Sequence, residues 1–465
     1  MKKEKSRRMH RRLEVPELAS NRTFRGGVHP LHGAHEGKGP TRGVPVRDYV
    51  ADTVTILMGM HLGAPSTPCV QAGDRVKLGQ VIAEPVGFLG LPVHASVSGE
   101  VIAVGPVRAL TNPAAMSVTI KNDFKDEWVD LDPLGDVETC PKEKIVPAIK
   151  AAGICGMGGA AFPTHVKFAV KEGQYCDTII LNGAECETHL TCDHRLMLEN
   201  SGRIVDGLRA AMRALDVRRG VIAIEDNKPD AIEAMRKAAQ GREGVEVMPL
   251  KTKYPQGGEK QLIHVVTGRE VPSGKLPLDV HVIVLNVGTA SAIADAVIDG
   301  RPLVSRITTV TGHVNKPSNL RVRVGTLASD MLRACDGFSI PEADVGKIVI
   351  GGAMTGFPAP DDAAIPLTKA NNGVVVYSGK ESRELEEMAC IRCGRCVDAC
   401  PIHLTPYRLK YFCDAGDMAR ASAENVMDCV VCGSCSYICP AHRVLTPAFK
   451  AMKDRISAEA KKRKG

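Results

Sequence analysis

At 465 residues, with 44% apolar and 24% charged side chains, the chain has ordinary globular chemistry but is too long for one core, so several domains are expected. Aromatics at 4%, with a single tryptophan, exclude the stacking platforms of a nucleic-acid binder. The net charge of +7 gathers at the ends, in Lys2, Lys3, Lys5, Arg7, Arg8, Arg11 and Arg12 and again in Lys461, Lys462, Arg463 and Lys464, which suits either solvated termini or attraction to an anionic membrane or an acidic partner.

Residues 1–45 read as a basic, Gly-, His- and Pro-rich extended leader. It has no apolar segment of signal-peptide type, and the most apolar run, Val282 to Ile298, is broken by Asn286, Gly288, Ser291 and Asp295. A protein of the cytosol, or one peripheral on the cytoplasmic face of the cell membrane, is expected. Residues 46–125 carry alternating apolar and polar residues with Gly-Asp and Ser-Gly turns, and the second half, 91–104, roughly repeats 70–85. This resembles a barrel-sandwich hybrid of the lipoyl type, but the turn "SVSG" (96–99) lacks the lysine that such carriers modify.

Residues 140–300 alternate helical stretches with buried-type strands at 177–183, 219–226 and 279–288, a Rossmann-like α/β layer with a mostly parallel sheet. Residues 303–378 return to short strands with one helix near 327–337, the pattern of a β-grasp module. From Ser382 the chain reads as helical, in a small domain over 382–445 followed by a basic tail, 446–465.

That small domain carries the strongest motif. Sixteen cysteines without an export signal argue against a disulfide framework. Eight form two matching blocks, Cys390-x2-Cys393-x2-Cys396-x3-Cys400-Pro401 and Cys429-x2-Cys432-x2-Cys435-x3-Cys439-Pro440. At this spacing three cysteines wrap one cubane and the fourth reaches the other. Cys390, Cys393, Cys396 and Cys439 are expected on one [4Fe–4S] cluster, and Cys429, Cys432, Cys435 and Cys400 on the second. A pair of zinc sites is disfavoured by the doubled pattern with both prolines. The other eight cysteines show no ligand spacing and read mostly as small buried hydrophobes.

Upstream, "GICGMGGAAFPTHVKF" (153–168) offers Gly156, Gly158 and Gly159 for close backbone approach to a phosphate, with Lys167 as a positive charge. A helix precedes this loop, so it is no standard dinucleotide turn. The strand at 177–183 delivers Asn182, then Glu185 and Glu187, while "YPQGGEKQ" (254–261) and "LNVGT" (285–289) add Gly258, Glu259, Asn286 and Thr289. Ligands of open α/β sheets bind at such carboxyl ends of strands.

Together "TFRGGVHP" (23–30), the glycine loop, "LNGAECETHLTCDHRLML" (181–198), "YPQGGEKQLIHVVTGREVPSGKLP" (254–277) and the cysteine blocks resemble RnfC, the peripheral subunit family of the Rnf ion-translocating ferredoxin:NAD oxidoreductase. That family is similar in turn to the NADH-binding flavoprotein subunit of complex I. The resemblance implies an FMN-binding α/β domain, a soluble-ligand-binding β-grasp (SLBB) domain and a helical two-cluster ferredoxin domain. It implies FMN and NAD(H) contacts at Gly156, Gly158, Gly159, Lys167, Asn182, Glu185, Gly258, Glu259, Asn286 and Thr289, with Glu185 and Glu259 the catalytic candidates. It implies partners among integral-membrane and ferredoxin-type subunits, with ferredoxin or flavodoxin as further candidates. Since nicotinamide moves electrons in pairs and a cubane singly, a flavin belongs between them. Alternatives are a soluble paralogue feeding a cytosolic reductase, of the proline-reductase-associated type, or an electron wire with a decayed flavin pocket. Thr188, His189 and Cys192, which depart from the family pattern, motivate the last.

Overall fold

The computed structural model describes residues 21–30, 37–360 and 362–463, so the basic cluster at 2–12 lies outside the described residues. Among the described residues no helix is long and apolar enough to cross a membrane.

Two small antiparallel sheets share one core between residues 53 and 122. One has the order Thr53–Leu57, Ala115–Asn122, Gly99–Val107, Arg75–Val76, and the other Thr67–Pro68, Val81–Glu84, Val93–His94. Their alternating residues, among them Val54, Ile56, Ile82, Val101 and Ile120, point inward, as period-2 patterning requires. Strand Val46–Tyr49, expected at the start of this module, instead runs parallel to Ser318–Arg323 at the edge of a different sheet. Its mostly solvent-facing side chains carry no core pattern to reveal that partner.

The α/β domain is built on a four-stranded parallel sheet in the order Val245–Leu250, Arg219–Glu225, Thr178–Gly183, Val282–Asn286. Both faces are covered. Ile179, Leu181, Ile222, Ile283 and Leu285 pack beneath helices Lys142–Ala151, Ser201–Ala214 and Val287–Ile298. Ile180, Val221, Val282 and Val284 meet helix Glu259–Thr267 and Phe24. Double coverage explains why these strands read as unbroken apolar runs.

A six-stranded mixed sheet follows, in the order Val46–Tyr49, Ser318–Arg323, Ser305–Gly312, Gly373–Ser378, Val345–Ile350, Phe357–Pro358, with helix Ala328–Ala334 on its core face. The last domain is helical, and Leu409, Phe412, Val426, Leu445, Phe449 and Met452 pack around Cys396, Cys400 and Cys435.

Two stretches expected to be loose are folded. The basic tail forms most of helix Leu445–Lys462, whose Leu445, Phe449, Met452 and Ile456 recur at helical spacing against the cysteine core. The described part of the leader is a strap. Val28 exchanges backbone bonds with Tyr254 at 2.8 and 2.9 Å, and the Gly27 N–H donates to the Ala399 carbonyl at 2.9 Å. A Cβ at Gly26 (φ +89°) would lie 2.7 Å from the Cys400 carbonyl oxygen, so glycine permits this approach. Farther on, Lys38 is buried and its Nζ donates to the carbonyls of Glu185, Glu187 and Leu190 at 2.9, 2.7 and 2.6 Å.

Candidate functional site

Strand Thr178–Gly183 has its sequence successor Arg219–Glu225 on one side and Val282–Asn286 on the other, with connecting helices on opposite faces. The strand order therefore reverses between Asn182 and Asn286, the position where α/β sheets open a crevice. A cavity of about 540 Å3 occupies it, within the range of cofactor sites.

The glycine loop forms one wall. Its backbone is held by Gly156 N–H to the Phe162 carbonyl at 2.8 Å and Met157 N–H to Thr289 Oγ1 at 3.0 Å. A Cβ added at Gly156 would meet nothing nearer than 3.6 Å, and at Gly159 (φ +131°) nothing within 4 Å, so bare backbone faces open space. Lys167, on the short helix Thr164–Lys167, donates from Nζ to the Val284 carbonyl at 2.7 Å and pairs with Glu259 Oε1 at 3.3 Å. Gly258 caps the start of helix Glu259–Thr267 at the cavity wall. The far wall is Asn182 and Asn286. Asn182 Nδ2 donates to the Gly257 carbonyl at 2.9 Å; Asn286 Nδ2 donates to Asp193 Oδ2 at 2.7 Å while its Oδ1 accepts from Gly288 N–H at 2.8 Å.

Of the ten residues singled out for this site, Gly156, Gly158, Gly159, Lys167, Asn182, Gly258, Glu259, Asn286 and Thr289 line the cavity. Glu185 does not. Its carboxylate turns away and accepts the backbone N–H groups of Asp193 and His194 at 2.7 and 3.2 Å, capping helix Cys192–Glu199. Burial pushes its carboxyl up to about 7, opposed by the charge of Lys38. The strand ends at Gly183, and past the left-handed turn at Glu185 (φ +44°) it is Glu187 that lines the cavity. The Glu187 carboxylate accepts from Met354 N–H at 3.0 Å and from the Thr355 hydroxyl, and burial raises its pKa. Thr188, His189 and Cys192, the departures from the family pattern, are also outside the lining.

Sequence reading missed Tyr254, Cys186 and Gln261, which line the same cavity. Tyr254 and Gln261 lie within the motif 254–261 already singled out, but nothing in it shows that they reach the helical domain. Tyr254 Oη donates to the Cys432 carbonyl at 2.6 Å and Gln261 Nε2 to the Pro401 carbonyl at 3.2 Å. Thr164 Oγ1 and Gln261 Oε1 are buried at the cavity without a hydrogen-bond partner, orphans that a polar cofactor would satisfy. Bare glycine backbone, two lysines (Lys167 and Lys260), paired asparagines and unused polar atoms fit a phosphate-bearing, amide-rich cofactor such as FMN.

In the helical domain the eight cysteines divide by space rather than by sequence. Cys390, Cys393, Cys396 and Cys439 line a cavity of about 450 Å3, and Cys400, Cys429, Cys432 and Cys435 line another. Each block repeats one backbone trace: Arg392 and Val431 have φ +57° and +55°, Gly394 and Gly433 +77° and +85°, and His403 and His442 +57° and +49°. A β-branched residue such as Val431 resists that conformation, so the loop is held by what surrounds it. Four soft sulfur ligands per cavity suit an iron–sulfur cluster. The two cavities differ in access: Cys390 and Cys393 are exposed, while the second set has no exposed member. The glycine-loop cavity extends to Val430 and Cys432 of the second set.

Comparisons with known proteins agree in order along the chain. Residues 22–125 match the family described as the RnfC barrel sandwich hybrid domain, 149–295 the Nuo51 FMN-binding domain, and 384–403 a 4Fe-4S binding domain. The chain is 45% identical to a component of the proton-translocating ferredoxin:NAD(+) oxidoreductase complex of Clostridium ljungdahlii, covering 83% of this chain and 84% of that one. It is 43% identical to the corresponding component of the Na(+)-translocating ferredoxin:NAD(+) oxidoreductase complex of Acetobacterium woodii, over 95% and 98%. It is 40% identical to that of the ion-translocating oxidoreductase complex of Rhodobacter capsulatus, over 94% and 83%.

Proposed function

The chain belongs to the RnfC family, and from that premise we propose that it exchanges electrons between NAD(H), bound with FMN at the glycine-loop cavity, and two clusters reached in a fixed order. It is the RnfC component of an ion-translocating ferredoxin:NAD(+) oxidoreductase complex, and its cofactors are FMN and [4Fe–4S] clusters. The observation that carries the ordered reading is the continuity of the nucleotide cavity with Cys432.

Bound FMN supplies the conversion between two-electron and one-electron transfer. The chain's own residues do the rest. Gly156, Gly158 and Gly159 leave room for phosphate against backbone, and Lys167 adds a fixed positive charge. Asn182 and Asn286 present amides at the strand ends, and Glu259 is the carboxylate facing the cavity mouth beside Lys167. Glu185 serves as a positioning residue, holding the loop on which Glu187 faces the cavity. Tyr254 and Gln261 brace the cavity wall against the loops of Cys432 and Cys400.

The cluster of Cys400, Cys429, Cys432 and Cys435 is then the inner one, and that of Cys390, Cys393, Cys396 and Cys439 the outer one. Exposed Ile391 and Tyr411 with Arg392 and Arg408 rim the outer cavity, a surface suited to an acidic electron carrier: a ferredoxin-type subunit, ferredoxin or flavodoxin. The chain sits on the cytoplasmic face of the membrane, held by integral-membrane subunits of the complex. The β-grasp over 303–378 is an SLBB domain, a reading supported by helix Ala328–Ala334 packed against a mixed sheet. A decayed flavin pocket is disfavoured because the residues that depart from the family lie outside the cavity.

Anaerobic purification with iron, sulfide and flavin quantified together tests the reading. About eight iron, eight sulfide and one FMN per chain are expected, with NADH oxidation toward an artificial acceptor. Full iron with neither flavin nor that activity would overturn it.

A further inference from the structure

Behind the glycine loop lies a second cavity, of about 400 Å3, that shares no lining residue with the nucleotide cavity. Its walls come from three units: the α/β domain, the six-stranded sheet, and Trp128 of the β module's end. Five arginines line it, Arg203, Arg301, Arg306, Arg321 and Arg323, against two carboxylates, Asp193 and Asp295. Five guanidiniums around one small cleft are unusual, because like charges repel and each must be desolvated.

Counter-charges answer part of this. Arg203 pairs with Asp299 at 2.6 Å, Arg321 with Asp48 at 3.0 Å and Arg323 with Asp126 at 2.7 Å. Those three aspartates are not lining residues; of the two lining carboxylates, Asp295 stands 3.7 Å from Arg203 Nε, and Arg301 reaches Asp299 at 4.0 Å. Two features leave donor capacity unused. Arg203 Nη1 is buried without a hydrogen-bond partner. Arg306 is 5% exposed, and its hydrogen bonds go to the backbone carbonyls of Ile307, Lys369 and Met157; no carboxylate pairs with it among the described residues. Asp193 in the same cleft offsets part of its charge without pairing with it directly; a buried guanidinium without a direct ion pair is costly, and Arg presents a planar fork matched to phosphate oxygens.

We propose that this cleft binds a small phosphate-bearing anion, at a site separate from the FMN and NAD(H) cavity. Arg306 would meet it at the inner end, with Arg203, Arg321 and Arg323 closing around it. The site also has a route to the flavin wall. Met157 accepts from Arg306 Nη1 at 3.5 Å through its carbonyl, and its N–H donates to Thr289 in the nucleotide cavity. An occupied cleft would thus stiffen the glycine loop from behind.

The test is titration of the FMN- and cluster-loaded chain with sodium pyrophosphate at constant ionic strength, followed by calorimetry and phosphorus NMR. Saturable binding at one site per chain is expected, weakened about tenfold or more in R321Q/R323Q with FMN and iron contents unchanged. R306Q should remove it, but that variant removes a buried residue, so R321Q/R323Q carries the decision. No saturable binding up to about 10 mM, equal binding in R321Q/R323Q, or binding seen only after FMN is stripped would each overturn the proposal.

Discussion

Asn182 and Asn286 stand side by side as register partners at the ends of adjacent parallel strands, and each ties a different wall of the nucleotide cavity in place. Asn182 holds the Gly257 turn; Asn286 holds Asp193 and, as the N-cap of helix Val287–Ile298, the Gly288 amide. Asn286→Ala should cost about 1–2 kcal/mol from the lost cap and the stranded Asp193 carboxylate. It should also weaken FMN retention about tenfold or more, read as flavin per chain after gel filtration. Unchanged flavin content would show that the strand end is merely structural.

The glycine loop is the place to separate flavin from iron. At Gly158 an added Cβ comes 3.4 Å from Asn286 Cβ, and further side-chain atoms would enter the cavity. Gly158→Val should abolish bound FMN while iron and sulfide stay at wild-type levels, measured on the same preparation. Loss of iron in parallel would mean that the loop supports the fold rather than the flavin.

Crossed ligation gives a sharp chemical expectation. Cys439 faces the outer cavity although it belongs to the second sequence block, and Cys400 faces the inner one although it belongs to the first. Cys439→Ala should therefore lower iron from about eight to about four per chain and leave the cluster of the second block, seen as one remaining paramagnetic species on reduction. Disappearance of the Cys429-block signal in that variant would contradict the pairing.

Glu185 makes stability depend on pH in an uncommon direction. Burial raises its carboxyl from 4.5 to about 7, so between those values the folded chain holds a proton that the unfolded chain has released. Its contribution is fully present below about 4.5 and is lost as pH rises through about 7, by up to about 3 kcal/mol. Glu185→Gln keeps an acceptor oxygen for the helix cap and cannot ionise. Its thermal midpoint should gain on wild type as pH rises from 5.5 to 7.5; a constant difference would rule out Glu185 as the titrating group.

The C-terminal helix is structural. Phe449 and Met452 are buried against the cysteine core, so Phe449→Ala should cost about 3–5 kcal/mol and release iron on mild heating. Charge reversal at Lys461 and Lys462, both exposed, should do neither.

What is legible in the sequence follows from what its patterns encode. The cysteine spacing, the apolar runs at 177–183 and 219–226 and the glycine loop each express a local constraint: ligand geometry, two-sided burial, bare backbone. Val46–Tyr49 escapes assignment to its sheet because an edge strand with solvent-facing side chains leaves no apolar signature. In the tail, the lysines mask Leu445, Phe449, Met452 and Ile456, a helical stripe that its sequence does contain. Glu185 and Glu187 cannot be told apart without the turn between them, and the bracing by Lys38, Tyr254 and Gln261 spans long sequence separations that no local pattern records.

The order of electron flow is the claim that matters most, and one comparison tests it directly: anaerobic reduction by NADH, followed by freeze-quench paramagnetic resonance, in Cys439→Ser and Cys432→Ser variants that retain FMN. With the outer cluster removed, the inner cluster should still be reduced by NADH at close to the wild-type rate. With the inner cluster removed, reduction of the outer cluster should slow by orders of magnitude. Rapid NADH reduction of the outer cluster in Cys432→Ser, with a sluggish inner cluster in Cys439→Ser, would contradict the order read from the cavity that ends at Cys432.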